Sequence, residues 1–205
     1  VDGINFYILD FSAGDTQNAE FFSRLAERVP HAPRVGHRRQ LPEIIGELAV
    51  EVQRRMDTEG VGSATPKYLF LYGLQRARDL RQEEGFGFSS YSEEPAKPNL
   101  TQQFNTILRE GPDVGIHSVI WCDTTTNLNR NLDRRSLREF AMRVVFQMSA
   151  EDSANLIDTP AASKLGVYRA LFYNEEEGRL EKFRPYGLPS EAWLTWASER
   201  LRNKR

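Results

Sequence analysis

Apolar residues along this chain fall into short solid runs separated by stretches with helical spacing. Residues 4–11 (INFYILDF) are almost wholly apolar, the pattern of a strand buried on both faces in a parallel sheet. Residues 18–29 follow with Phe21, Phe22, Leu25 and Val29 on one helical face, which predicts a helix lying on the sheet. Residues 33–35 predict a very short strand. Over 41–56 the helical period returns through Leu41, Ile44, Ile45, Leu48, Val52 and Met56, and Arg54 and Arg55 near its end suit the helix dipole. Gly60 and Gly62 stop that helix, and residues 68–72 (YLFLY) predict a second buried strand.

Residues 83–98 hold Gly85, Gly87, Pro95 and Pro98 with no apolar period, so they read as a long surface loop, mobile or made for a contact. Leu100, Phe104, Ile107 and Leu108 mark another amphipathic helix, with Asn99 or Thr101 as its cap. Residues 116–122 and 142–148 predict further strands. The Ser149–x–x–Asp152 pattern opens a short helix over 149–158. Residues 169–173 and 180–184 alternate around Glu177 and Gly178, which predicts a hairpin at the sheet edge. Ser190 begins a last helix carrying Trp193, Trp196 and Leu201, expected to pack on the sheet or, with its tryptophan pair exposed, to present a partner surface. The pattern describes an α/β fold with a mainly parallel sheet.

At roughly 150 residues per domain, the 205 residues make one domain or one and a half. The net charge of -2 argues against a free-standing nucleic-acid binder, which carries a basic excess. No apolar run approaches the roughly 20 residues that span a bilayer. Cys122, the single cysteine, excludes an intramolecular disulfide and a Cys-rich zinc site, and it fits a reducing, cytoplasmic setting. The first residues have no signal-peptide pattern and no initiator Met, so the chain is expected to begin partway through a longer protein.

Ligands of open α/β sheets gather beyond the carboxyl ends of the strands, where Asp10 and Asp123 fall. Each is either a crevice residue or a solvated loop carboxylate. Asp10 and Ser12 also open an Asp-x-Ser pattern of the kind that holds a hard cation in adhesion domains, but Gly14 offers no oxygen at the third position. His31, His37 and His117 form no nucleophile–base set. Cys122 follows an apolar run and reads as an inert buried thiol. Arg76, Arg78 and Arg81 stand at near-helical spacing and read as a solvated face. No phosphate-cradling Gly-rich loop and no metalloprotease or hydrolase motif is present.

The ordered series of segments resembles the motor domain of FtsK/SpoIIIE-type P-loop ATPases, the DNA translocases and the related type VII secretion ATPases. The strand with Arg143 and Ser149, the helix with Asp152, Ser153, Ile157 and Asp158, and the turn with Ala162, Leu165 and Gly166 resemble that family's C-terminal motifs. Gly115, Ile116 and His117 resemble its Gly-Ile-His. Val29, Pro30 and His31 resemble its Leu-Pro-His, and Glu51 with Arg54 and Arg55 its Glu-Met-x-x-Arg. The likeness covers residues 1–186, leaving 187–205 as a C-terminal helix. It implies a RecA-like three-layer fold, here lacking the P-loop strand, which would lie upstream of Val1.

The resemblance also marks departures. The family's Walker B strand ends in Asp-Glu, for Mg²⁺ and for the attacking water; the matching positions are Tyr72 and Gly73. Asp123 stands where the family has a Gln that senses nucleotide, and Pro112 where it has an Arg. Asp10, Tyr72, Gly73 and Asp123 are therefore the positions expected to face a nucleotide crevice, with ATP and Mg²⁺ bound only if a P-loop is supplied upstream. The implied function is a degenerate ATPase module of a larger multi-domain protein, binding nucleotide weakly or acting as a docking and regulatory surface. The alternatives are an active ATP-driven DNA translocase and, behind it, an Mg²⁺-dependent von Willebrand-like adhesion domain. Implied partners are other domains of the same polypeptide, neighbouring ring subunits, and DNA.

Overall fold

A computed structural model describes residues 4–12, 20–58, 64–81 and 99–203. The chain packs as two compact units, residues 1–136 with 191–205, and residues 137–190. The loop expected over 83–98, together with Gly14, Gly60 and Gly62, lies outside the described residues.

In the first unit the solid apolar runs become strands β1 (Asn5–Asp10), β2 (Arg34–Gly36), β3 (Lys67–Tyr72) and β4 (Ile116–Trp121). They form one all-parallel sheet in the order β2-β1-β3-β4. Three helices connect them: α1 (Phe21–Arg28), α2 (Leu41–Met56) and α3 (Leu100–Glu110). Asn99 caps α3 by accepting a hydrogen bond from the Thr101 N–H. Alternation sends Tyr7, Leu9, Leu69 and Leu71 to one face, where they share a core with Ile44, Leu48 and Val52 of α2 and Phe104 and Ile107 of α3. These side chains are buried, and burial of each large one contributes about 1.5–3 kcal/mol.

The opposite face is aromatic. Phe6, Tyr68 and His117 stand in register across three strands, as do Asp10, Tyr72 and Trp121. Phe22 of α1 packs against Tyr72 with ring centroids 5.5 Å apart, so α1 covers this face while α2 and α3 cover the other. Toward β4 the cover thins: Val119 and Trp121 are exposed, and among the described residues β4 pairs only with β3.

After β4 come α4 (Thr125–Asn131) and α5 (Arg134–Arg138). In the first unit the last helix, α7 (Glu191–Arg202), packs on α1, burying Leu194 and Ser198 and receiving Arg28 at Glu191 and Thr195. Of the two expectations for Trp193 and Trp196, the exposed pair is the one found. Both rings are half-exposed, because the smaller Leu194 and Ser198 occupy the inward side of the helix.

The second unit is built on β5 (Met142–Val145), α6 (Ala150–Ile157), β6 (Ala170–Asn174) and β7 (Arg179–Phe183). The expected hairpin forms, with Asn174 opposite Arg179. It belongs to a separate antiparallel sheet, β5-β6-β7, rather than to the edge of the parallel one. Ser149 caps α6 through the Asp152 N–H, at 3.0 Å. The wholly buried Ser153 donates to Thr159 O and accepts from Ala162 N, which fixes the turn after the helix.

Candidate binding site at the carboxyl edge of the parallel sheet

The strand connections diverge between β1 and β3. From β1 the chain moves outward to β2 with α1 on the aromatic face; from β3 it moves the other way to β4 with α3 on the aliphatic face. Such a switch point leaves a crevice beyond the strand ends that no connection fills. Here the crevice is a cavity of about 460 Å³ lined by Asp10, Phe11, His37, Arg38, Gln75, Arg76, Arg78 and Arg81. Asp10 and Phe11 leave β1, while Gln75 and Arg76 arrive on a single helical turn directly after β3.

The walls are held by specific contacts. Asp10 is buried, and its Oδ1 accepts the Ser12 N–H at 2.8 Å, a local turn that lets the chain leave the sheet. His37 Nδ1 lies 3.1 Å from Asp10 O. A carbonyl only accepts, so Nδ1 carries the proton, which leaves Nε2 as the imidazole's other polar atom. Arg76 Nη1 donates to Phe11 O at 2.7 Å, tying the turn after β3 to the end of β1. Arg38 pairs with Asp79 at 3.2 Å.

Between β3 and β4 the same edge of the sheet carries a ring stack. The Tyr72 ring stacks on Trp121 with centroids 4.7 Å apart and planes 19° from parallel. Gly73 adopts a left-handed backbone with φ of 90°, donates to Trp121 O, and sits so close to β1 that a Cβ would lie 3.2 Å from the Phe11 Cβ. Asp123 lies beyond β4, where its Oδ1 accepts the Asn127 side-chain amide at 2.8 Å and so braces the first turn of α4. Burial raises the Cys122 thiol beside it above its ordinary value, against the Thr124 carbonyl that its Sγ meets at 3.6 Å.

Of the four positions expected to face a crevice, Asp10 lines the cavity. Tyr72, Gly73 and Asp123 share the sheet's carboxyl edge but are not among its lining residues. Arg76, Arg78 and Arg81, read as a solvated face, are exposed, and they also line one wall of the cavity. They are carried by two single helical turns, Leu74–Arg76 and Arg78–Leu80, and the residue after them. His37 and Arg38 were legible only as part of a basic run.

No protein-family model matches the chain, and the search of curated proteins finds no match. Solved structures do share its fold. The DNA-packaging ATPase B204 of Sulfolobus turreted icosahedral virus matches with a TM-score of 0.55 at 14% identity, over 90% of this chain and 84% of that one. The cytoplasmic domain of the type VII secretion ATPase EccC of Thermomonospora curvata matches at 0.57 and 17% identity, over 97% of this chain but 24% of that one. EssC (ATPases 2 and 3) of Geobacillus thermodenitrificans matches at 0.57 and 10% identity, over 98% of this chain and 37% of that one. The expected α/β fold with a mainly parallel sheet is therefore present, and the neighbours that share it are ATPases of the secretion and DNA-packaging kinds.

At the end of β3 neither Tyr72 nor Gly73 offers a carboxylate. Among the described residues no group of three or more His, Cys, Asp or Glu side chains could hold a metal ion. Nor is any described helix long and apolar enough to cross a membrane.

Proposed function

We propose that the chain is a degenerate FtsK/SpoIIIE-like ATPase module of a larger multi-domain protein, which holds nucleotide weakly or statically, or serves as a docking and regulatory surface. The observation that carries this reading is the end of β3. Catalysis of phosphoryl transfer to water needs a carboxylate for Mg²⁺ and a second to orient the water. In their places stand a tyrosine locked in a ring stack and a glycine whose backbone disfavours any side chain. Putting an L-residue into the left-handed region costs about 1–2 kcal/mol, so the glycine is integral to this strand end. The small shares of EccC and EssC that the chain spans, 24% and 37%, suit one module among several.

On this reading the partners are neighbouring modules of the same polypeptide or adjacent subunits. The competing reading, a working DNA translocase, is favoured by the likeness to a DNA-packaging ATPase over 84% of that chain. ATP hydrolysis by the full-length protein, measured with and without duplex DNA, separates the two. We expect no turnover by the 205-residue chain and no gain from Gly73→Glu alone; hydrolysis stimulated by DNA refutes the degenerate-module reading.

A further inference from the structure

We propose that the cavity at the β1/β3 switch point binds a small phosphorylated anion, with the guanidinium groups of Arg78 and Arg81 as its main ligands and those of Arg38 and Arg76 at its flanks. The proposal stands apart from nucleotide turnover, since it uses none of the residues at the end of β3.

Charge is the first argument. Four arginines and one carboxylate line this cavity, in a chain whose net charge is -2. The carboxylate, Asp10, is already engaged by the Ser12 N–H. Arg38 has Asp79, and Arg76 is pinned to Phe11 O. Arg78 and Arg81 have no ion-pair or side-chain hydrogen-bond partner among the described residues. Guanidinium groups gathered this way repel one another, and a bound dianion converts the repulsion into charge-assisted, bidentate hydrogen bonds.

Size and position are the second. The volume of about 460 Å³ lies within the roughly 300–1,000 Å³ typical of small-molecule sites. It is an open crevice at a switch point, where parallel sheets bind small ligands. Gln75, also on the lining, keeps its Oε1 buried without a hydrogen-bond partner. An acceptor left over among cationic walls is completed by a ligand that brings a hydroxyl donor as well as its phosphates. A nucleoside diphosphate carries both groups, and inorganic pyrophosphate carries the phosphates alone.

The test is titration calorimetry on the full chain at low salt, with pyrophosphate and ADP as separate probes. We expect saturable binding of both below about 1 mM. Arg78→Gln and Arg81→Gln should each weaken it about 10-fold, and together about 100-fold, as loss of charge-assisted hydrogen bonds implies. Arg78→Lys with Arg81→Lys, which keeps charge but loses the fork, should fall between wild type and the double Gln variant. Arg130→Gln, outside the cavity lining, should change nothing. Gln75→Leu should weaken ADP and spare pyrophosphate if a nucleoside diphosphate is the ligand; equal effects on both probes leave the phosphates as the recognised group. No saturable heat with the wild-type chain overturns the proposal. So does ADP and pyrophosphate binding that survives the double Gln change, which would place the nucleotide elsewhere and leave the degenerate-module reading standing. A single-stranded oligonucleotide that binds more tightly than pyrophosphate and is lost in the same variants would reassign the cavity to nucleic acid.

Discussion

Arg54 and Arg55 are adjacent in the last turn of α2 and both bond Glu51, yet the structure gives them unequal weight. Arg54 is an exposed partner, its Nε 2.8 Å from Glu51 Oε2. Arg55 is buried: its Nε donates to Glu51 Oε1 at 2.8 Å, its Nη1 to Val114 O at 2.8 Å and its Nη2 to Thr65 O at 2.7 Å. One side chain thus ties the end of α2 to the approaches to both β3 and β4. Arg55→Met strips the hydrogen bond from two carbonyls, each costing about 1–3 kcal/mol when left unsatisfied. Glu51 is not orphaned, because Arg54 and Lys67 remain, so the full cost of breaking a buried ion pair does not apply. The expected destabilisation is about 3 kcal/mol, a large part of the 5–15 kcal/mol typical of a whole domain. Arg54→Met loses one exposed pair and should cost about 0–1 kcal/mol. Arg55→Lys places one ammonium where two carbonyls need donors, and should fall between. Urea unfolding of the three variants measures the differences. Equal losses at Arg54 and Arg55, or a loss below about 1 kcal/mol at Arg55, would refute the assignment of a clamp.

Hydrogen bonding from Arg54, followed by that from Arg55 and the charge of Lys67, outweighs burial and holds Glu51 down at about 2 from an ordinary 4.5. A depressed carboxylate stabilises above its unfolded value, so its contribution is complete above about pH 4.5 and lost as the pH falls toward 2; acid unfolding of Glu51→Gln should lack that part of the slope. Burial, reinforced by the hydrogen bond that Tyr7 donates to Glu47 and by the charge of that carboxylate, raises Tyr7 from 10 to about 12, so its contribution is complete below about pH 10 and lost between there and 12, a loss that Tyr7→Phe should remove from alkaline melting curves. The raised Cys122 thiol predicts alkylation by iodoacetamide at pH 8 slower than that of a free cysteine, and a rate equal to or above it would contradict the burial seen here. Gly111→Ala should be severely destabilising in thermal melts, because its Cβ would lie 2.2 Å from Ile107 O and 2.6 Å from Ile116 O, both backbone atoms that cannot swing aside.

What could be read in the sequence is what local periodicity encodes. The apolar runs correspond to β1, β3 and β4, and five of the six inward positions read over 41–56 are buried in α2, while Met56 is exposed and Arg55 is buried instead. Strand partners are not local. The run over 142–148 reads the same whether its strand joins a parallel sheet or an antiparallel one, and its pairing with β6 depends on residues some thirty positions away. The cavity was hidden for the same reason. Arg38 and Arg76 line one cavity because β2 and β3 flank β1 while α2 crosses between them, and no spacing rule links the turn before α2 to the turn after β3. Arg55 and Arg54 were indistinguishable until the helix was rotated into place against Val114 and Thr65.

The carboxyl edge of the sheet therefore carries two opposite solutions side by side. Between β3 and β4 the rings of Tyr72 and Trp121 stack side by side, Phe22 of α1 leans on the first of them, and Gly73 draws the chain in against Phe11. Between β1 and β3 the edge stays open and gathers positive charge. Replacing Tyr72 with Asp would remove a ring from a three-ring cluster, worth about 0.5–1.5 kcal/mol per aromatic contact beyond area burial, and would add a carboxylate that desolvation disfavours beside Trp121. Two separate physical terms thus resist a carboxylate at the end of β3, whereas the neighbouring crevice gathers four arginines against one carboxylate. If this sheet binds a small ligand through its own residues, the side of β3 facing β1 is where its electrostatics favour it.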